Sequence, residues 1–351
     1  MKKKTSLWTV FVLFSLIACQ DVDRYVAFGG YAQGGTYTIK LNLKGVRVKP
    51  ETIHEAVDSL LKEIDFTLSG YNKASQLSRL NAGETITPNP MLCHLYDLSY
   101  ALFEQSQGAF DVSCGPLFDV WGFGFTTDSL PGPERIAAAA ARSGMARLKP
   151  TMEAALAPDG TLTARALLKD DSQEPPLLNF NAIAQGFSCD YVAQYLHSLG
   201  VTDMLVDIGE IWCEGRNPNG RPWAVGIDSP VDGNNTPGAD MQGVWHSSGA
   251  AGQGVVTSGN YRKFYVRDGC KYSHTIDPRT AAPVTHNLLS ATVVAPDATT
   301  ADAVATWCMV VGFKDAALLL RDLKLEGCLI YDEGGEMQCW ISPGFNFSTG
   351  N

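Results

Sequence analysis

No C-x-x-C pair occurs anywhere in the 351 residues, and no stretch repeats with a period of 20 to 50. The first absence removes zinc-ribbon and thioredoxin-type readings, and the second removes solenoids and propellers. Basic excess is also missing, since 27 Lys and Arg stand against 37 Asp and Glu for a formal net charge of -10. With no basic stripe to neutralise phosphates, nucleic acid is excluded as a partner, and an anionic nucleotide ligand would need local help. Low-complexity sequence is confined to the alanine run 137–141. The apolar run near the N-terminus spans only Leu7 to Ile17, short of the roughly 20 residues that a membrane span needs.

That run is instead part of an address. Met1-Lys2-Lys3-Lys4 precedes it and Leu16-Ile17-Ala18-Cys19 follows, the layout of a secretory signal peptide. The order of leucine, small residue and cysteine resembles a bacterial lipobox. That resemblance implies removal of residues 1–18, lipidation of Cys19, and an anchor and tether over 19–33. The protein is then expected on a cell-envelope membrane, lipid-anchored and periplasm-facing. About 330 residues remain after Cys19, 45% of the whole sequence is hydrophobic and 18% charged, so a sizeable core is affordable. Eight of the nine cysteines lie beyond Cys19, mostly inside apolar runs where cysteine behaves as a small hydrophobe, and mostly free thiols are expected.

Helical spacing of Ile53, Val57, Leu60, Leu61 and Ile64 predicts a helix after Pro50, with others over 91–107 and 134–143. Phe187, Tyr191, Val192, Tyr195, Leu196 and Leu199 mark one face of a further helix that Gly200 closes. Helices are also expected over 300–311 and 314–323. Strand-type runs fall at 204–208, 223–227, 261–266, 289–294, 328–331 and 337–341, and 229–243 reads as an exposed loop. Helices interleaved with hairpin-like strands predict an α+β fold.

Chemistry concentrates in the C-terminal half. Asp302 and Thr306 are four residues apart, so on a helix they present oxygens to one point, as a hard cation such as magnesium requires. Alternatively Asp302 only charges the first helical turn. His274 titrates near neutrality and is able to accept a proton, or is a satisfied structural histidine. Thr257-Ser258-Gly259 reads as a turn whose N–H and hydroxyl groups face phosphate oxygens, or as a plain turn.

Motifs then accumulate in order. Gly35-Thr36-Tyr37 comes first, then Leu68-Ser69-Gly70-Tyr71 leading to Leu77-Ser78-Arg79-Leu80-Asn81, then Gly108-Ala109-Phe110-Asp111 with Gly115-Pro116-Leu117 and Trp121-Gly122-Phe123. Asn179-Phe180-Asn181-Ala182-Ile183-Ala184-Gln185-Gly186 follows with Asp190, then Asp207-Ile208-Gly209, Trp223-Ala224-Val225-Gly226-Ile227, and the His274 and Asp302 segments. Together they make the chain, from about Gly34 onward, resemble the ApbE family of FAD:protein FMN transferases.

That resemblance implies a single large domain over 34–351, related to the T-fold, with mixed or antiparallel sheets flanked by helices. It implies a magnesium site built from Asp302, Thr306 and the carbonyl of Ala182, with the Ala305 carbonyl as a further candidate. Flavin contacts map onto Gly34, Tyr71, Ala109, Phe110, Asp111, Asn179, Gln185 and the neighbourhood of Thr275, beside the phosphate-facing Thr257, Ser258 and Gly259. Relatives often carry aspartate where Asn179 stands, lysine or glutamate at Gln185, and a second glycine at Glu210. The implied reaction attaches the FMN half of FAD to a Thr or Ser hydroxyl of an exported electron-transport protein and releases AMP. His274 or Asp302 is the implied proton acceptor. Alternatives in the same frame are an FAD pyrophosphatase, which uses water as acceptor, and a non-catalytic flavin-binding or glycan-binding lipoprotein.

Overall fold

In residues 35–42 the side chains of Tyr37, Ile39 and Leu41 alternate inward between more exposed neighbours, the period-two pattern of a half-buried strand. Seven further strands join this one in the computed structural model, which describes residues 23–124, 130–234 and 236–349. The central sheet runs in the order β1 (Tyr25–Ala32), β2 (Gly35–Asn42), β3 (Met204–Asp207), β4 (Ile211–Glu214), β7 (Gln253–Gly259), β12 (Leu288–Ala295), β13 (Glu326–Glu333) and β14 (Glu336–Ile341). Every neighbouring pair is antiparallel. A smaller sheet has the order β15 (Phe347–Thr349), β6 (Met241–His246) and β5 (Ala224–Asp228), and two-stranded ribbons form from β8 (Phe264–Arg267) with β9 (Cys270–Ser273) and from β10 (Ile276–Asp277) with β11 (Ala282–Pro283).

Helices flank the central sheet, most of them packed over one face. They are α1 (Pro50–Leu68), α2 (Gln76–Asn81), α3 (Pro90–Gln105), α4 (Gly115–Val120), α5 (Pro133–Ala141), α6 (Ala184–Ser198), α7 (Ala298–Val311) and α8 (Phe313–Leu323). Ile53, Val57, Leu61 and Ile64 give α1 its buried stripe, and they pack with Ile39, Leu41, Met204 and Val206 of the sheet. Val256, Ala291 and Val293 meet α7 and α8 on the same side. Alternation sends Leu205, Val255, Val294, Cys328 and Ile330 to the opposite face, where Trp245 and Ile227 of the small sheet cover them. Helix α7 is buried along most of its length because it has the sheet beneath it and other helices beside it.

Four sequence expectations are corrected. Residues 25–32, read as tether, are an edge strand of the central sheet; two glycines at positions 29 and 30 hide the strand pattern, and a tight turn at Gln33 and Gly34, both with positive φ, returns the chain onto β2. Residues 260–263 are a bend and the strand begins at Phe264, while positions 241–243 of the expected loop open β6. Thr257-Ser258-Gly259 is not a turn but the end of β7, because pairing with β12 overrides a turn-like composition. The signal peptide over 1–18 and lipidation at Cys19 lie outside the described residues.

Candidate active site

Helices α6 and α7 approach each other at Gly186. A side chain there would collide, since a Cβ would stand 2.2 Å from the Ala298 carbonyl oxygen and 2.8 Å from the Asp302 Cβ. The close approach lets the Gly186 N–H donate to Asp302 Oδ2 at 3.0 Å. One turn further along α6, Asp190 accepts from the N–H groups of Ala298 and Thr299, both at 2.8 Å, and also from the Thr299 hydroxyl. Asp297 caps the same helix through the Thr300 N–H. Thus the free donors at the start of α7 are consumed by carboxylates, and the two helices are locked in register.

A second consequence follows for Ala182. Gly186 is the third residue of α6, so the helical ladder starts one residue later, with the Phe187 N–H on the Ile183 carbonyl, and leaves the Gly186 N–H for Asp302 and the Ala182 carbonyl outside the helix. Among the described residues no backbone N–H donates to the Ala182 carbonyl. Its oxygen, the half-buried Thr306 hydroxyl one helical turn beyond Asp302 and the remaining oxygen of Asp302 are one carboxylate and two neutral oxygens. That is the chemistry a magnesium ion takes, with phosphate oxygens and water to complete its shell. Among the described residues no three His, Cys, Asp or Glu side chains are grouped to hold a metal, and this donor set requires only one of them. Ala305, by contrast, sits fully buried inside the uninterrupted α7, where the helical ladder occupies its carbonyl.

Electrostatics favour a cation in the same place. Burial pushes the Asp302 carboxyl up to about 7, opposed by the Gly186 hydrogen bond and reinforced by the charge of Asp190. Glu210 is raised well above the ordinary carboxylate range by burial and then by Asp302, and Asp207 is raised by burial. Carboxylates that resist ionisation together are relieved by a positive charge between them. Glu210 appeared in the sequence only as a missing glycine. Its carboxylate accepts the Thr257 N–H at 3.4 Å.

The expected flavin contacts distribute around this cradle. Gln33, beside Gly34 in the β1–β2 turn, donates to the Ser188 hydroxyl of α6, which brings Gly34 to the helix pair. Tyr71 is largely exposed and accepts a hydrogen bond from Asn181, the neighbour of Ala182. Asn179 is tied to the 109–112 segment through its N–H to Val112, and its side chain accepts the Asn181 N–H. Gln185 donates to the Ile208 carbonyl at 3.3 Å and rests against the β3–β4 turn at Gly209.

Three expectations take a different form. Ala109 and Phe110 are fully buried, and Phe110 belongs to the main core, so its ring is packing and not a flavin platform. Asp111 is buried, and its carboxylate organises its own loop by accepting from the Ser113 N–H and hydroxyl and the Met145 N–H. The Thr257 hydroxyl is spent on Thr292 at 2.9 Å, while strand alternation turns Ser258 towards the helices and Gly259 with Thr257 away from them.

His274 sits at the other end of this path. β7 passes directly into Asn260, whose side chain accepts from the Thr275 hydroxyl at 2.7 Å. His274 Nδ1 lies 3.0 Å from the Lys263 carbonyl oxygen, an atom that only accepts, so Nδ1 carries the proton and Nε2 keeps its lone pair. Burial lowers the imidazole below its ordinary range, so it is neutral at neutral pH and its Nε2 lone pair is open to a proton. Phe123 meets the ring edge-on and stacks in turn on Tyr265. Asn260 and Lys263 were not legible beforehand, since a carbonyl and an amide leave no motif. A cavity of about 490 Å³ lined by His94, Tyr191, His197 and Trp212 lies beyond the Asp190–Thr299 contact, and neither Asp302 nor His274 borders it.

An α+β fold that carries buried carboxylates at one helix contact and a neutral, oriented histidine has the parts of a group-transfer enzyme. Comparison with known proteins makes this specific: the model of the ApbE family matches residues 33–329, and the chain belongs to that family. An FAD:protein FMN transferase of Haemophilus influenzae is 32% identical over 327 residues, covering 91% of this chain and 90% of that protein. One from Treponema pallidum is 33% identical over 281 residues, covering 76% and 74%. The apo crystal structure of the flavinyl transferase ApbE of Pseudomonas stutzeri superposes with a TM-score of 0.76 at 32% identity, covering 92% of this chain and 95% of that one.

Proposed function

We propose that this protein is an FAD:protein FMN transferase that uses magnesium, held by Asp302, Thr306 and the Ala182 carbonyl. The observation that carries the reading is the close approach of α6 to α7 at Gly186, whose free N–H orients the Asp302 carboxylate. Magnesium supplies charge neutralisation at the pyrophosphate of FAD, which an acidic protein without a basic stripe cannot otherwise provide.

The chain's own groups do the rest. Gln185, Tyr71 and the Gly34 turn surround the cradle and orient the flavin-bearing substrate. His274 Nε2 accepts the proton of an incoming Thr or Ser hydroxyl while Nδ1–H stays anchored on Lys263. The hydroxyl oxygen forms the new bond to the FMN phosphorus, the bond to the AMP phosphate oxygen breaks, and AMP departs. The acceptors are exported subunits of electron-transport complexes, and the enzyme is held at the envelope membrane through Cys19.

Incubation of the purified protein with FAD, magnesium and an acceptor domain, followed by intact-mass measurement of the acceptor, tests this. A gain of one FMN unit that chelator abolishes is expected. AMP appearing with an unmodified acceptor would move the assignment to FAD hydrolysis, and binding without either product would leave a flavin-binding lipoprotein.

A further inference from the structure

Away from the site two sulfur atoms meet. β13 and β14 pair so that Cys328 stands across from Ile341 and Cys339 across from Ile330. Cys328 and Ile330 share a face of β13, so Cys339 joins them on the same face, one diagonal step away. All three belong to the apolar layer under the small sheet, with Trp245 and Phe345. The Sγ atoms of Cys328 and Cys339 lie 3.2 Å apart. A disulfide bond measures about 2.05 Å, so roughly 1.2 Å of approach closes it; diagonal partners stand about 7–8 Å apart, so closure draws the edge strand β14 slightly towards β13 besides turning the two side chains. Access differs between them: Cys328 is buried and Cys339 half-buried, which makes Cys339 the point of entry.

We propose that Cys328 and Cys339 are a cross-strand dithiol that closes to a disulfide when it meets an oxidant of the low-molecular-weight disulfide class. The Cys339 thiolate, having released its proton to solvent, attacks one sulfur of the oxidant and expels the other as a thiolate. Cys328, losing its proton in turn, attacks Cys339 Sγ and expels the second oxidant sulfur. Two cysteine thiols are thereby oxidised by two electrons, one oxidant disulfide is reduced to two thiols, and the two protons pass to the leaving sulfurs. The exported location proposed above would supply such an oxidant. The bond would tie the edge strand β14 to β13, which pairs with β12 beneath α7, and so close the exposed side of the sheet that supports Asp302.

The full chain, isolated reduced and treated with oxidised glutathione, is alkylated under denaturing conditions and digested. A peptide pair linked through Cys328 and Cys339 is expected, with a melting temperature a few degrees above that of the reduced protein, as closure of a short loop gives. In C339A the linked pair and the oxidative shift should both vanish, while C270S, at an exposed cysteine on β9, should keep both. Alkylation of both Cys328 and Cys339 after the treatment, or a bond from either to another cysteine, overturns the proposal. If C339A does not fold, the peptide map of the natural sequence decides the matter alone.

Discussion

Adding one methyl group at Gly186 tests the helix contact on which the cation cradle depends. The new Cβ would lie 2.2 Å from the Ala298 oxygen, where carbon and oxygen ordinarily keep about 3.3 Å, so α6 must retreat by roughly 1 Å. Overpacking of this size costs about 1–3 kcal/mol. The retreat also stretches the 3.0 Å bond from the Gly186 N–H to Asp302, and a hydrogen bond to a charged acceptor contributes about 1.5–3 kcal/mol. The combined loss of about 2.5–6 kcal/mol should lower the melting temperature by roughly 5–10 °C. Once parted from the Gly186 N–H, the Asp302 carboxylate loses the contact that orients it, so the magnesium concentration at half-maximal FMN transfer should rise about 10–100-fold. Melting curves with and without magnesium, beside a magnesium titration of transfer, read both effects. Gly132→Ala is the control, with open space around its Cβ position and an ordinary φ of -71°. A Gly186→Ala protein with unchanged melting and unchanged magnesium response would refute this account of the α6–α7 contact.

Further outcomes follow from single groups. His274→Gln should lower kcat/KM by about 10²–10⁴-fold. Because burial depresses the His274 pKa, the acid limb of the natural enzyme's pH–rate profile should fall below pH 6.5, and a limb above 7 would contradict the assigned environment. Asp302 has its pKa raised from 3.8 to about 7, so its contribution to the stability of the metal-free protein is present below pH 3.8 and is lost as pH rises through 7. Metal-free Asp302→Asn should therefore melt no lower than the natural sequence at pH 8, and magnesium should stabilise only the latter; equal magnesium shifts in both would remove Asp302 from the ligand set. Thr257→Val strands the buried Thr292 hydroxyl and should cost about 1–3 kcal/mol of stability, with Thr257→Ser restoring most of it in denaturant melts.

The helices α1, α6 and α7 were legible in the sequence because each writes its environment locally, through apolar spacing and a terminating signal. Asp302 and Thr306 were legible for the same reason, since four residues on a helix fix a common direction whatever surrounds it. Strand-forming segments were harder. Residues 25–32 carry too little side-chain pattern to announce a strand, and 257–259 carry turn-like residues that only the partner strand β12 holds extended.

What the sequence determined alone is the list of chemical parts: an acidic chain, a carboxylate and a hydroxyl one turn apart, a histidine, and a family pattern over most of the chain. Only the tertiary structure decided what each part is free to do. Phe110 and Asp111 were withdrawn into core and loop, the Thr257 hydroxyl was spent on Thr292, and the Asp302 carboxylate was oriented because a glycine 116 residues before it brings two helices close enough to share one hydrogen bond. Such availability is a property of partners distant in sequence, and each hydrogen-bonding group has a fixed capacity that the fold allots.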